Sequence, residues 1–211
     1  MNSDPPQGAT DRRIAIIILA AGDATRFGRP KQLLYFQDAP LIVRAVQAAT
    51  GTPHRPVFVV VGANARKIFW KLADYHVVYT SNPRWDSGIS SSIRVGLKTA
   101  LDSIEYLDAA LFMTADQPLV TTQTLERLIE AWVRTGRPIA ASRYADTLGI
   151  PALFASPFFS TLLSLKGDQG AKEIILAHRE ETVEVDSPEA AVDIDSEEDL
   201  LRLENTTSGR S

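Results

Sequence analysis

Two short runs, Ile14 to Leu19 and Val57 to Val61, are apolar at every position. A strand sends alternate side chains to opposite faces of its sheet, so it is apolar throughout only when both faces are covered. Such strands belong in a parallel sheet with helices on either side. The remaining chain supplies those helices, because β-rich apolar segments alternate with helical periodicity. Further strands are expected at Val77 to Thr80, Ala109 to Thr114, Ile139 to Ser142, Ala152 to Ala155 and Thr182 to Val185. Helices are expected at Leu41 to Ala49, Ala65 to Tyr75, Ser90 to Leu101 and Thr122 to Thr135, then at Phe158 to Leu165, Ala171 to His178 and Glu197 to Glu204. This order predicts an α/β protein, a doubly wound three-layer α/β/α sandwich on a mostly parallel sheet.

Ligands of such sheets gather at the carboxyl ends of the strands. Three polar motifs fall there. The first strand runs into Ala20-Ala21-Gly22 and then a loop carrying Arg26, Gly28, Arg29 and Lys31. Glycines let backbone N–H groups approach phosphate oxygens, and the cations neutralise them. Ser81-Asn82-Pro83 follows the third strand, and Asp116-Gln117-Pro118 follows the fourth. One crevice can collect all three. The plainer alternative is a set of ordinary turns with solvated basic residues.

Asp116 is suited to a divalent ion, since magnesium takes one or two protein carboxylates together with substrate phosphate oxygens. A strand-end Asp also caps helices, but Thr121 and Thr122 already serve the helix that follows. The run Val192-Asp193-Ile194-Asp195 alternates apolar and acidic residues, placing both carboxylates on one side of an extended segment. Ser196 then reads as a helix cap, with Asp199 three residues on. The three histidines share no spacing that would make a metal site or a triad, and are read as structural.

The chain has 211 residues, of which 45% are hydrophobic and 23% charged, enough for one domain with its own core. Residues 1–12 are expected to form a disordered leader, 13–203 a single domain and 204–211 a flexible tail. A net charge of −4 argues against nucleic-acid and anionic-membrane partners. Zero cysteines exclude disulfides and thiolate catalysis. No stretch has the length of a membrane span or the apolar core of a signal peptide, so a cytoplasmic location is expected.

The segment Leu19-Ala20-Ala21-Gly22, with Arg26, Gly28, Pro30 and Lys31, resembles the signature loop of nucleotidyltransferases. Trp85 to Ser92, Ala115 to Pro118, Gly167 to Ala171 and Asp193 to Leu200 are similar to the branch containing molybdenum cofactor cytidylyltransferases, the MobA-like NTP transferases. The likeness runs over residues 14–203. It implies a Rossmann-like nucleotidyltransferase (GT-A-like) fold and transfer of a nucleoside monophosphate from a triphosphate, CTP favoured, to a small phosphorylated acceptor such as molybdopterin. It implies Mg²⁺ as cofactor, held by Asp116 and Asp195 with Asp193 a lesser candidate. Arg26 and Lys31 become the catalytic cations. Leu19, Ala20, Ala21, Gly22, Asn82, Gly88, Ser90, Ser91 and Asp116 become nucleotide contacts, and Asp168 a lesser candidate for the acceptor. The methyl of Ala21, where guanylyl relatives usually carry glycine, would disfavour a purine.

At Leu148-Gly149-Ile150-Pro151 the chain departs from the Arg-Gly-His-Pro common in that branch. A sugar phosphate or another metabolite therefore stays open as acceptor. A non-catalytic nucleotide-binding protein of the same fold is the rival reading; two metal carboxylates argue against it. A P-loop hydrolase is excluded, since no Gly-x-x-x-x-Gly-Lys-Ser/Thr occurs.

Overall fold

The computed structural model describes residues 12–22, 30–194 and 196–208. The chain enters through β1 (Ile14–Ala20), then a 3-10 turn (Lys31–Leu33) and a small hairpin of β2 (Tyr35–Phe36) and β3 (Ala39–Pro40). Next come α1 (Leu41–Gly51), β4 (Val57–Val61), α2 (Ala65–Lys71), β5 (Val78–Ser81), α3 (Ile89–Ser103) and β6 (Ala109–Thr114). The second half holds α4 (Thr122–Thr135), β7 (Ile139–Tyr144), β8 (Thr147–Ala155), α5 (Phe159–Ser164) and α6 (Ala171–Ala177). It ends with β9 (Thr182–Asp186) and α7 (Glu197–Ser208).

Seven strands form one sheet in the order β5-β4-β1-β6-β8-β7-β9. All neighbours pair in parallel except β8, which is antiparallel to both β6 and β7. β1 and β4 are buried at every residue, as their uniform apolarity requires. Even-numbered residues of β1 (Ile14, Ile16, Ile18) join Val46 of α1 and Leu125 and Leu128 of α4 in one core layer. Odd-numbered ones (Ile17, Leu19) meet Ile93 and Leu97 of α3, Leu162 of α5 and Ile174 of α6 on the other face. The three-layer α/β/α sandwich follows from that alternation. Gly96 of α3 lies so close to the sheet that a Cβ there would stand 2.6 Å from Ile17 Cγ2.

Some expectations change. The segment Thr147 to Pro151 belongs to β8, extending that strand upstream of the expected Ala152. Pairing with β7 recruits it, although Gly149 and Pro151 obscure its strand signal. α2 stops at Lys71 rather than Tyr75, and α7 continues to Ser208. The β2–β3 hairpin was not expected; two-residue strands carry no readable periodicity. Its Phe36 packs with Leu34, Leu41, Ile194 and Leu203 in a third small core that ties α7 to the domain.

Candidate active site

The turn carrying Lys31 is stapled to the end of β1. Gln32 is 8% exposed, and its amide nitrogen donates to the carbonyls of Ala20 at 3.1 Å and Gly22 at 2.7 Å. The site's acid comes from the neighbouring strand, since Asp116 stands two residues past the end of β6. Parallel pairing of β1 with β6 brings the two strand ends side by side, in the register Leu19 to Thr114. Lys31 Nζ therefore lies 2.9 Å from Asp116 Oδ2, with side-chain exposures of 18% and 27%. Both face a pocket of about 200 Å³. Leu19, Ala20, Gly22, Gln32 and Ile89 supply its other walls, with Thr114 and Ala115 beside Asp116.

Behind Asp116 a polar framework holds the strand end. Gln117 is buried and donates to the carbonyls of Ile150 at 3.1 Å and Ala190 at 2.8 Å. The Tyr144 hydroxyl donates to the same Ile150 carbonyl at 3.2 Å. Burial raises the Tyr144 phenol above its ordinary pKa, and the charges of Asp193 and Asp116 push the same way against a hydrogen bond from Gln117. The acidic segment reaches the strand end too, because the Ile194 N–H donates to the Asp116 carbonyl at 3.0 Å. Asp193 is exposed there. Ser196 caps α7 as expected, its hydroxyl accepting from the Asp199 N–H at 3.2 Å. Arg26 and Asp195, together with Gly28 and Arg29, lie outside the described residues.

Several expected nucleotide contacts are placed otherwise. Asn82 is 1% exposed. Its amide donates to the hydroxyls of Ser91 at 2.7 Å and Ser92 at 3.0 Å, and its carbonyl oxygen accepts from the Arg84 N–H at 3.0 Å. Ser91 Oγ lies 2.8 Å from the Gly88 carbonyl, and Ser90 Oγ accepts from Arg94 at 3.1 Å. The Ser90 N–H is taken by the Gly167 carbonyl at 3.3 Å. These groups are spent on holding the start of α3 against the ends of β4 and β5. The buried methyl of Ala21 packs in the core among β1, β4 and α3, so it sits behind the pocket wall rather than in it. The steric argument against a purine therefore falls.

Ile89, which the motif reading passed over, faces the pocket instead and is 38% exposed. A lone apolar residue inside the polar run Asp86 to Ser92 was the available signal. Gly88 precedes it with φ of +95°, a conformation that favours glycine. A Cβ at Gly88 would collide with the Gly167 carbonyl and stand 2.7 Å from Asp168 Oδ1, so the loop carrying Asp168 rests on this residue. Gly88→Ala is expected to lose about 1–3 kcal/mol of stability from backbone strain. A thermal melt reads this as a drop of several degrees; an unshifted midpoint would mean that the 165–170 loop yields freely.

The donor set fits a cation that arrives with its own oxygens. Among the described residues no group of three or more His, Asp or Glu side chains could hold a metal unaided. Among the described residues that line the pocket, one hard carboxylate, Asp116, stands beside the Lys31 ammonium, a donor set that suits a hard divalent cation taking its remaining ligands from elsewhere. No helix among the described residues is long and apolar enough to cross a membrane.

The chain is similar to several known proteins. A family model described as MobA-like NTP transferase domain matches residues 16–183. The chain is 28% identical over 201 residues to nicotine blue oxidoreductase of Paenarthrobacter nicotinovorans, covering 89% of this chain and 94% of that protein. It is 28% identical over 123 residues to the bifunctional protein GlmU of Psychrobacter sp. (strain PRwf-1), covering 57% of this chain. The match takes in 26% of GlmU, so the chain spans about a quarter of that relative's length. The crystal structure of Rv0371c from Mycobacterium tuberculosis H37Rv superposes with a TM-score of 0.77 at 28% identity, over 92% of this chain and 98% of that one. A structure of Rv0371c in complex with manganese gives 0.74 at 27% identity, over 92% and 99%.

Proposed function

Because this chain belongs to the MobA-like NTP transferase domain family, we propose that it transfers a nucleoside monophosphate, CMP by preference, from a nucleoside triphosphate to a small phosphorylated acceptor. An acceptor oxyanion attacks the α-phosphorus; a new P–O bond forms, the α–β bridging bond breaks, and pyrophosphate leaves with its electron pair. The acceptor is already anionic, so no protein nucleophile is needed. The work left to the protein is alignment and neutralisation of charge.

One observation carries this reading: Lys31 and Asp116, from two adjacent strand ends, meet in one pocket. Lys31 is the cation for the charge that builds on the α-phosphate. Asp116 is the carboxylate for Mg²⁺, with Asp195 its proposed partner and Arg26 the proposed cation for the departing pyrophosphate. Bound there, the metal would withdraw charge from the transferring phosphoryl group. Leu19, Ala20, Gly22 and Ile89 make the apolar and backbone wall for the nucleoside. Asn82, Ser90 and Ser91 support that wall from behind. The preference for CTP rests on the resemblance of the signature loop to the cytidylyltransferase branch. Molybdopterin is the first acceptor to try. Tyr144 and Ile150 stand beside Asp116 near where that branch carries Arg and His, which favours testing less anionic acceptors as well.

The test is pyrophosphate release with each of the four common nucleoside triphosphates, Mg²⁺ or Mn²⁺, and a panel of molybdopterin and sugar phosphates. Release that needs both metal and acceptor, fastest with CTP, is expected. A thermal shift with nucleotide but no release with any acceptor would replace transfer by nucleotide binding alone.

A further inference from the structure

Lys31 and Asp116, the two charged residues that line the pocket, are each followed at once by a glutamine. Among the described residues Gln32 and Gln117 are the only buried glutamines, 8% and 5% exposed. Their carboxamides are used alike, one nitrogen donating to two backbone carbonyls. Gln32 takes those of Ala20 and Gly22, where β1 ends. Gln117 takes those of Ile150 in β8 and Ala190 in the turn Pro188–Ala191. All four acceptors are carbonyl oxygens, so the positions call for an uncharged double donor. A glutamate would set a carboxylate against them, and a methionine would leave them without their donor.

We propose that Gln32 and Gln117 are positioning residues, Gln32 for the Lys31 ammonium on the phosphate side of the pocket and Gln117 for the Asp116 carboxylate on the cation side. The proposal rests on the roles given above to Lys31 and Asp116. Lys31 opens a three-residue 3-10 turn, too short to fix its own direction, and the two bonds of Gln32 tie that turn to the sheet. Asp116 stands past the last residue of β6 paired with β1, so the ladder does not hold it either. Gln117 replaces the ladder there. With the Asp116 carbonyl, which accepts from the Ile194 N–H at 3.0 Å, it also clasps the segment 190–194 at both ends. The acidic stretch carrying Asp193 is thereby brought to the same strand end. The Gln32 side-chain oxygen is buried with no hydrogen-bond partner among the described residues. An apolar side chain of similar size would avoid that cost, so the position uses glutamine for its two donors rather than for packing.

Two equilibrium titrations test this, each with one ion alone: Mn²⁺, followed by the paramagnetic resonance of the free ion, and metal-free inorganic tripolyphosphate, followed by calorimetry. Gln117→Met is expected to bind Mn²⁺ about tenfold more weakly, the low end of the loss usual when the support of a metal ligand is removed. It should keep its tripolyphosphate affinity. Gln32→Met should lose on the order of tenfold in tripolyphosphate affinity, the worth of one hydrogen bond to a charged group, and keep its Mn²⁺ affinity. Gln47→Met removes an exposed glutamine bonded to Tyr75 and should change neither. A merely structural role lowers both affinities together or leaves both alone, and either result in the Gln32 and Gln117 variants would overturn the proposal. Where a methionine variant does not fold, the asparagine variant carries the same test, since its shorter amide cannot span both carbonyls. A natural protein that binds neither ion would overturn the roles of Lys31 and Asp116 and this proposal with them. Crossed losses in a protein that releases no pyrophosphate would sink the transfer reaction alone, and uncrossed losses in an active enzyme would sink only the positioning roles.

Discussion

Lys31→Ala is expected to slow pyrophosphate release about a hundred- to a thousand-fold, the usual loss when a charge-stabilising donor is removed from a transition state. In barrier terms that is about 2.7–4 kcal/mol. The same substitution should take only about 1 kcal/mol from the fold, the upper end for a pair that water still reaches. Lys31 and Asp116 face a pocket open to water, so the abandoned carboxylate can be hydrated there. The contrast between the two losses separates a catalytic cation from a structural one. Initial-rate kinetics and a urea titration on the same preparation measure both. Near-natural turnover would remove Lys31 from the chemistry, whereas equal losses in rate and stability would make it a packing residue.

Phe112→Ala is expected to remove about 3–5 kcal/mol of stability, the usual range for emptying a large aromatic site in a core. Phe112 has no solvent exposure and lies on β6, between β1 and β8 at the middle of the sheet. Its ring meets Phe154 of β8 edge-on, with centroids 6.1 Å apart and planes at 71°. That contact is made across the antiparallel junction of β6 with β8, where register pairs Phe112 with Ala152. Small neighbours such as Ala110, Ala141 and Ala152 in the same core leave little flexible side chain to flow into the void. Against a typical total of about 5–15 kcal/mol, this is a large fraction of the domain's stability. Urea denaturation should show a lower midpoint with an unchanged slope. A loss below about 1 kcal/mol would mean that the layer between β6 and α3 collapses to fill the space.

The two substitutions probe one frame from opposite ends, since Asp116 sits four residues beyond Phe112 and owes its place to the strand. Much of that frame was legible beforehand. β1 and β4 announced themselves through uniform apolarity, and β6 through the same pattern ended by Asp116. The amphipathic helix from Thr122 to Thr135 matches α4 at both ends. The parallel pairing of β1 with β6 then brings Lys31 and Asp116 together, as the strand-end motifs suggested. β8 was read short because Gly149 and Pro151 look like turn residues; pairing with β7 overrides them. Hydroxyl and amide groups were the least legible. Asn82, Ser90 and Ser91 have the donors and acceptors that a nucleotide would want, and a helix start wants the same ones. Ile89 went unnoticed because an isoleucine is a priori a core residue.

What the sequence determined alone was therefore the layering and the chemical character of each strand end. Both are written in periodicity, since a strand wholly apolar must be covered twice, and a polar motif just past it must lie at the sheet's rim. Tertiary structure alone decided which of those polar groups look into the pocket and which are consumed in building its walls. A serine hydroxyl bonds equally well to a backbone carbonyl or to a ligand. With the loop at Gly167 docked on Gly88, Ile89, and not its serine neighbours, faces the pocket.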